Sequence, residues 1–119
     1  MNSGRNSPAF AALALGWLLL SAHAFPDHSD PRVGSRGKAL AEIRIWFDSE
    51  LEPLFSSIAV LDANAARVDR GDARVDAQDH ALLRVGLPPL APGKYTVQWK
   101  AVAHDGHPSE GQFSVTFEE

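Results

Sequence analysis

The stretch Ala103-His104-Asp105-Gly106-His107-Pro108 gathers two imidazoles and a carboxylate within four positions. Imidazole nitrogen and carboxylate oxygen are donors suited to Zn(II), Cu(II) or Ni(II), and the same residue types also build hydrogen-bonded turns. In an extended segment Asp105 and His107 leave the backbone on one face, Gly106 puts no side chain between them, and His104 points away. The spacing therefore predicts a two-donor unit, Asp105 with His107, while His104 is left to solvent or to a supporting contact. Two donors hold a metal weakly, so any tight site needs a further ligand from elsewhere.

The N-terminus offers one. The opening "MNSGRNSPAFAALALGWLLLSAHA" has a short polar start with Arg5, an uncharged apolar run from Ala9 to Leu20, and small residues behind it, the three-part pattern of a secretory signal peptide. The apolar run is shorter than the ~20 residues a membrane-spanning helix needs. Small residues at Ala22 and Ala24 favour a cut after Ala24; a cut after Ala22 instead releases a chain beginning with His23. In that second case the α-amine and ring Nδ1 of His23 can grip one metal ion together. With His107 and Asp105 they make a set of three nitrogens and one oxygen, which in tetragonal geometry favours Cu(II).

Composition narrows the chemistry. The chain has no cysteine, which excludes disulfides, thiolate zinc sites and a blue-copper centre. Of 11 Lys and Arg against 15 Asp and Glu, only Arg5 precedes Ser21, so the remainder is more acidic than the −4 of the whole chain. No basic stripe is available to neutralise phosphates, and nucleic acid is excluded as a partner.

The elements that must position these residues read as strands. Leu40, Ile43, Ile45 and Phe47 are apolar, with Glu42, Arg44 and Trp46 between most of them, the period-two signature of a half-buried strand. A second short run spans Ile58 to Leu61. Tyr95, Val97 and Trp99 alternate with Thr96, Gln98 and Lys100, and Phe113, Val115 and Phe117 with Gln112, Ser114 and Thr116. The segment from Phe25 to Ala39, rich in Pro, Gly, Ser and Asp, reads as an irregular or edge-strand lead-in. Six or seven short strands with turn signals roughly every ten residues predict one all-β domain, a Greek-key sandwich or barrel. Trp46, Phe47, Tyr95, Trp99, Phe113 and Phe117 are expected to supply much of its core. Asp69, Asp72, Asp76 and Asp79 read as a solvated face, and His80 as exposed.

Three stretches together resemble the CopC-type periplasmic copper-binding proteins associated with copper resistance and uptake. "HAFPDHSDPRVGS" is similar to the family's His-first opening and its Ser-x-Pro-x-x-Gly-Ser segment, and "IRIWFDSELEPLFSSIAVLDANAARVD" to its first long strand and the strand and turn that follow. "LPPLAPGKYTVQWKAVAHDGHPSEGQFSVTF" is similar to its Leu-x-Pro-Gly-x-Tyr-x-Val-x-Trp strand, its Asp-x-His and its final Gly-x-Phe strand. The resemblance implies a cupredoxin- or immunoglobulin-like sandwich, residues 23–119, freed from a signal peptide, residues 1–22. It also implies one Cu(II) per mature chain on His23, Asp105 and His107, a periplasmic location, and a CopD-type inner-membrane copper transporter as partner.

The family pattern places the cut after Ala22. Some relatives supply a Glu at the position of Ser49, flanked here by Asp48 and Glu50, so no ligand is assigned there. A methionine-rich Cu(I) site is not expected, since the only methionine is Met1. His28, five residues after His23, is open between a metal contact and a loop role. Two other classes compete with a non-enzymatic copper binder: a copper monooxygenase using an N-terminal His chelate, and a metal-free interaction module in which the 103–108 stretch is only a turn.

Overall fold

The computed structural model describes residues 24–119. Eight strands run in chain order: β1 (Pro26–Asp30), β2 (Arg36–Lys38), β3 (Glu42–Phe47), β4 (Ser57–Leu61), β5 (Arg74–Val75), β6 (Leu82–Gly86), β7 (Gly93–Val102) and β8 (Pro108–Glu118). They form two four-stranded sheets in the orders β1-β3-β6-β5 and β2-β8-β7-β4. The chain changes sheets at every step from β1 to β5 and again between β6 and β7, which makes a two-layer sandwich. The expected all-β sandwich is therefore present, and the lead-in does supply edge strands. β1 pairs antiparallel with β3, and β2 runs parallel to the end of β8.

Alternation decides which side chains meet between the sheets. Ile43, Ile45 and Phe47 of β3, with Leu83 and Val85 of the neighbouring β6, meet Ile58 and Val60 of β4, Val97 and Trp99 of β7, and Val115 and Phe117 of β8 in one buried cluster. Phe47 and Trp99 meet edge to face with centroids 5.3 Å apart, and Tyr95 tilts against Phe117 at 5.4 Å. Each such side chain contributes roughly 1.5–3 kcal/mol on burial. Trp46 departs from the expectation. Being one residue out of phase with Ile45 and Phe47, it lies on the outer face of β3, half-buried, with the His28 ring stacked on it.

The acidic segment between β4 and β6 also departs from expectation. Only Asp72 keeps the expected solvated character, at 47% exposed; the Asp69 side chain is buried and ties the β4 backbone to its own loop, and Asp62, Asp72, Asp76 and Asp79 each accept backbone N–H bonds. His80 is exposed, as its polar neighbours suggested. β7 and β8, the longest strands, pair over ten positions from Gly93↔Phe117 to Val102↔Pro108. That ladder fixes the end of the sandwich where the 103–107 connection emerges.

Candidate metal centre

The connection from β7 to β8 is a tight turn rather than an extended segment. Ala103 donates its N–H to the His107 carbonyl at 3.0 Å and accepts from the Gly106 N–H at 2.7 Å. Gly106 has φ +94°, a conformation that side-chain-bearing residues rarely adopt, and this accounts for the glycine. The His107 N–H points back at Asp105 Oδ1, 3.3 Å away, the Asx-type closure typical of such turns.

This turn brings together the two residues singled out by spacing, by a route other than strand alternation. Asp105 Oδ1 stands 3.2 Å from His107 Nδ1, with the side chains 48% and 43% exposed. The hydrogen bond with the His107 ring holds the Asp105 carboxyl below the usual carboxylate range against an opposing push from desolvation, and the His107 backbone N–H adds to the lowering. A carboxylate so held is ionised at neutral pH and ready to act as an oxygen donor.

His104 faces elsewhere. Its backbone N–H bonds the Glu50 carbonyl at 2.9 Å, and its ring, 80% exposed, lies with Nδ1 3.5 Å from Glu52 Oε1. Glu50, Glu52, His80 and His104 line a shallow cavity of about 250 Å³ beside the turn. Among the described residues no three His, Asp or Glu side chains converge closely enough to hold a metal ion. Among the described residues Asp105 and His107 are therefore a pair.

His23 lies outside the described residues, but the peptide that follows it is firmly placed. Ala24 is fully buried in the core cluster, and its carbonyl accepts a hydrogen bond from the Ser109 hydroxyl, two residues beyond His107. Phe25 is held on the other side: its N–H donates to Asp48 Oδ1 at 2.9 Å, and its carbonyl accepts from the Asp48 N–H at 2.9 Å. Consecutive Cα atoms are ~3.8 Å apart. The sequence alone gave no sign of the Ser109 tie.

The remaining candidates are resolved by their contacts. His28 stacks on Trp46 at 4.5 Å and 10°, with Nδ1 3.1 Å from Asp27 Oδ2, and the Arg44 guanidinium lies 5.7 Å from the same Trp46 ring. Its ring is engaged on the outer face of β1 and β3. Asp48 uses its carboxylate on Phe25, and Glu50 is exposed. Between them, the Ser49 hydroxyl is buried and has no hydrogen-bond partner among the described residues. An imidazole and an ionised carboxylate on one turn, free of any thiolate, suit a divalent transition metal.

Fold and turn define the class: a β-sandwich that presents an Asp–His pair at one end beside an anchored N-terminal segment. The chain belongs to the CopC family, whose domain model matches residues 27–118. It is 32% identical over 114 residues to copper resistance protein C of Pseudomonas syringae pv. tomato, covering 91% of this chain and 89% of that protein. It is 35% identical over 92 residues to the copper transport protein CutJ of Bacillus subtilis, covering 76% of this chain but only 17% of that longer protein. Among solved structures it resembles PcoC, a methionine-rich copper resistance protein from Escherichia coli. The TM-score there is 0.72 at 26% identity, covering 82% of this chain and all of that one. The protein is thus a copper-handling β-sandwich.

Proposed function

We propose that the protein, once residues 1–22 are removed, is a periplasmic Cu(II) carrier. It holds one copper ion per chain through the α-amine and ring of His23, the Asp105 carboxylate and the His107 imidazole. It is not an enzyme in this reading: it sequesters the ion or delivers it to an inner-membrane transporter of the CopD type. The observation that carries the proposal is the 3.2 Å Asp105–His107 pair, set on a rigid turn whose neighbour Ser109 binds the Ala24 carbonyl. Delivery is favoured over storage by the likeness to CutJ, a copper transport protein in which the matched region is a small part of the chain.

The test is a Cu(II) titration of protein with a verified His23 terminus, followed by absorbance and electron paramagnetic resonance, beside protein beginning at Ala24. The first binds one equivalent with nitrogen superhyperfine structure, and the second shows no tight site. Equal binding by both proteins overturns the assignment of His23.

A further inference from the structure

Leu54 and Phe55 are 87% and 63% exposed, and Leu54 is the most exposed large hydrophobic side chain among the described residues. They stand on a single 3-10 turn, Pro53–Phe55, that is fastened on both sides to the last residue of β7. The Glu52 N–H donates to the Val102 carbonyl at 2.8 Å, and the Val102 N–H donates to the Ser56 hydroxyl at 3.1 Å. The fold thus holds two apolar side chains in water on a fixed support. Beside them lies an open groove of about 600 Å³, whose apolar surface comes from Phe55, Val102 and Pro108 and which also takes in Asp105 and Gly106 of the metal-site turn. Its charged lining is Glu52, Asp105 and Lys100, with His104, and Lys100 stands opposite Glu110 across the β7–β8 ladder. The rim is therefore acidic on balance.

We propose that this groove, together with Leu54 and Phe55, is the docking surface for the protein that takes the copper ion, and that this acceptor offers it an apolar side chain flanked by lysine or arginine. The inference rests on the delivery reading above and goes beyond it by placing the contact. The occupant follows from what surrounds the groove. Groove and metal pair share Asp105, which is 3.2 Å from the His107 ring, so a protein seated here is in contact with the turn that holds the ion. The acidic rim attracts a basic protein flank and repels anionic lipid headgroups, which argues against a membrane surface. A rim with an excess of one charge does not complement itself, which argues against a second copy of this chain. An apolar anchor supplies the affinity of such a contact, and the charged rim its orientation and encounter rate.

The experiment uses the copper-loaded chain beginning at His23 and vesicles of phosphatidylcholine and phosphatidylglycerol, with and without a CopD-type transporter, read by flotation and by the rate of copper transfer. The double substitution Leu54→Ser with Phe55→Ser is expected to weaken flotation with the transporter about tenfold or more and to slow transfer in step. Glu52→Lys is expected to weaken it about three- to tenfold, with less dependence on salt than the parent. Both variants should still bind one Cu(II) per chain. Val33→Ser, which removes an apolar side chain 66% exposed outside the groove, should change nothing. Equal flotation and transfer by parent and variants, with copper bound in all, overturns the docking surface alone. A copper-loaded parent that does not float with the transporter overturns the surface and the delivery reading together, and a parent that binds no copper overturns the Cu(II) assignment as well. Flotation with transporter-free vesicles that is lost in the double variant gives the patch to lipid, and a dimer lost in that variant gives it to a second copy; either result rejects the proposal.

Discussion

Two regions of the molecule use aspartate for opposite ends. In the connection between β4 and β6, Asp62, Asp69, Asp72, Asp76 and Asp79 each accept backbone N–H bonds. Asp69 is the extreme case: its side chain is fully buried, it receives the Val60 and Gly71 N–H groups, and Arg67 closes on both its oxygens. At the other end, Asp105 caps one N–H within a half-exposed turn and otherwise faces an imidazole. The first region turns most of its carboxylates onto its own backbone and arginines, with Asp72, 47% exposed, the exception. The second leaves donor capacity turned outward, as a binding site requires. The contrast shows that an acidic residue is a ligand candidate only if the backbone has not already claimed it.

The largest expected effects lie in substitutions that separate the two regions. His107→Ala removes a nitrogen donor and should weaken Cu(II) binding by about 100-fold or more, since even supporting contacts to a metal ligand are worth 10–100-fold. It should cost about 1 kcal/mol or less in stability, because the ring is 43% exposed on a turn held by its backbone. Asp69→Ala should do the reverse. It strands the Val60 and Gly71 N–H groups and the Arg67 charge, so a loss of about 2–4 kcal/mol is expected, with copper affinity unchanged. Urea unfolding and Cu(II) titration on both variants check this double dissociation; a copper defect in Asp69→Ala breaks it.

Acid should act through the structural region. Burial pushes the Asp69 carboxyl up, but Arg67 and the N–H groups of Val60 and Gly71 together hold it below its ordinary value. Asp76 is lowered by the Gln78 N–H, then by Arg84 and the Asp79 N–H. A carboxyl with a lower pKa folded than unfolded contributes stability that is present above the unfolded value of ~3.9, and that is lost as pH falls through the folded one. Melting temperature measured across falling pH should therefore drop most steeply below about pH 4. Asp76→Asn should flatten that drop, and an unaltered slope counts against the assignment.

How much of this was legible in the sequence follows from what the signals measure. Strand period exposes β3, β7 and β8 because one face of each is buried, and the same period places Ile43, Ile45, Val97 and Val115 in the core. It misplaced Trp46, whose size suggested the core although its phase with Ile45 and Phe47 put it outside, where the His28 ring covers it. The Asp105–His107 pairing was legible from spacing, but its geometry was not. Alternation supposes an extended chain, and the positive φ of Gly106 bends this one into a turn that reaches a similar result. The acidic loop misled because a run of aspartates looks solvated until its N–H partners are known. The Ser109 tie to Ala24 spans 85 residues and joins two polar groups that no local pattern connects.

The smallest expected effect tests where the functional turn ends. His104 adjoins Asp105 in sequence, yet its ring is 80% exposed and, among the described residues, its polar contact is Glu52 Oε1 at 3.5 Å. Exposed pairs of this kind are worth ~0–1 kcal/mol, so His104→Ala should change stability by no more than about 0.5 kcal/mol. The hydrogen bond from its backbone N–H to the Glu50 carbonyl survives the substitution, so the turn keeps its place and copper affinity should stay within about twofold. A tenfold loss would mean that the imidazole swings from Glu52 to the metal. The outward-facing end would then hold a third imidazole donor, and the division between claimed and unclaimed side chains would have to include those whose only partner is a distant carboxylate.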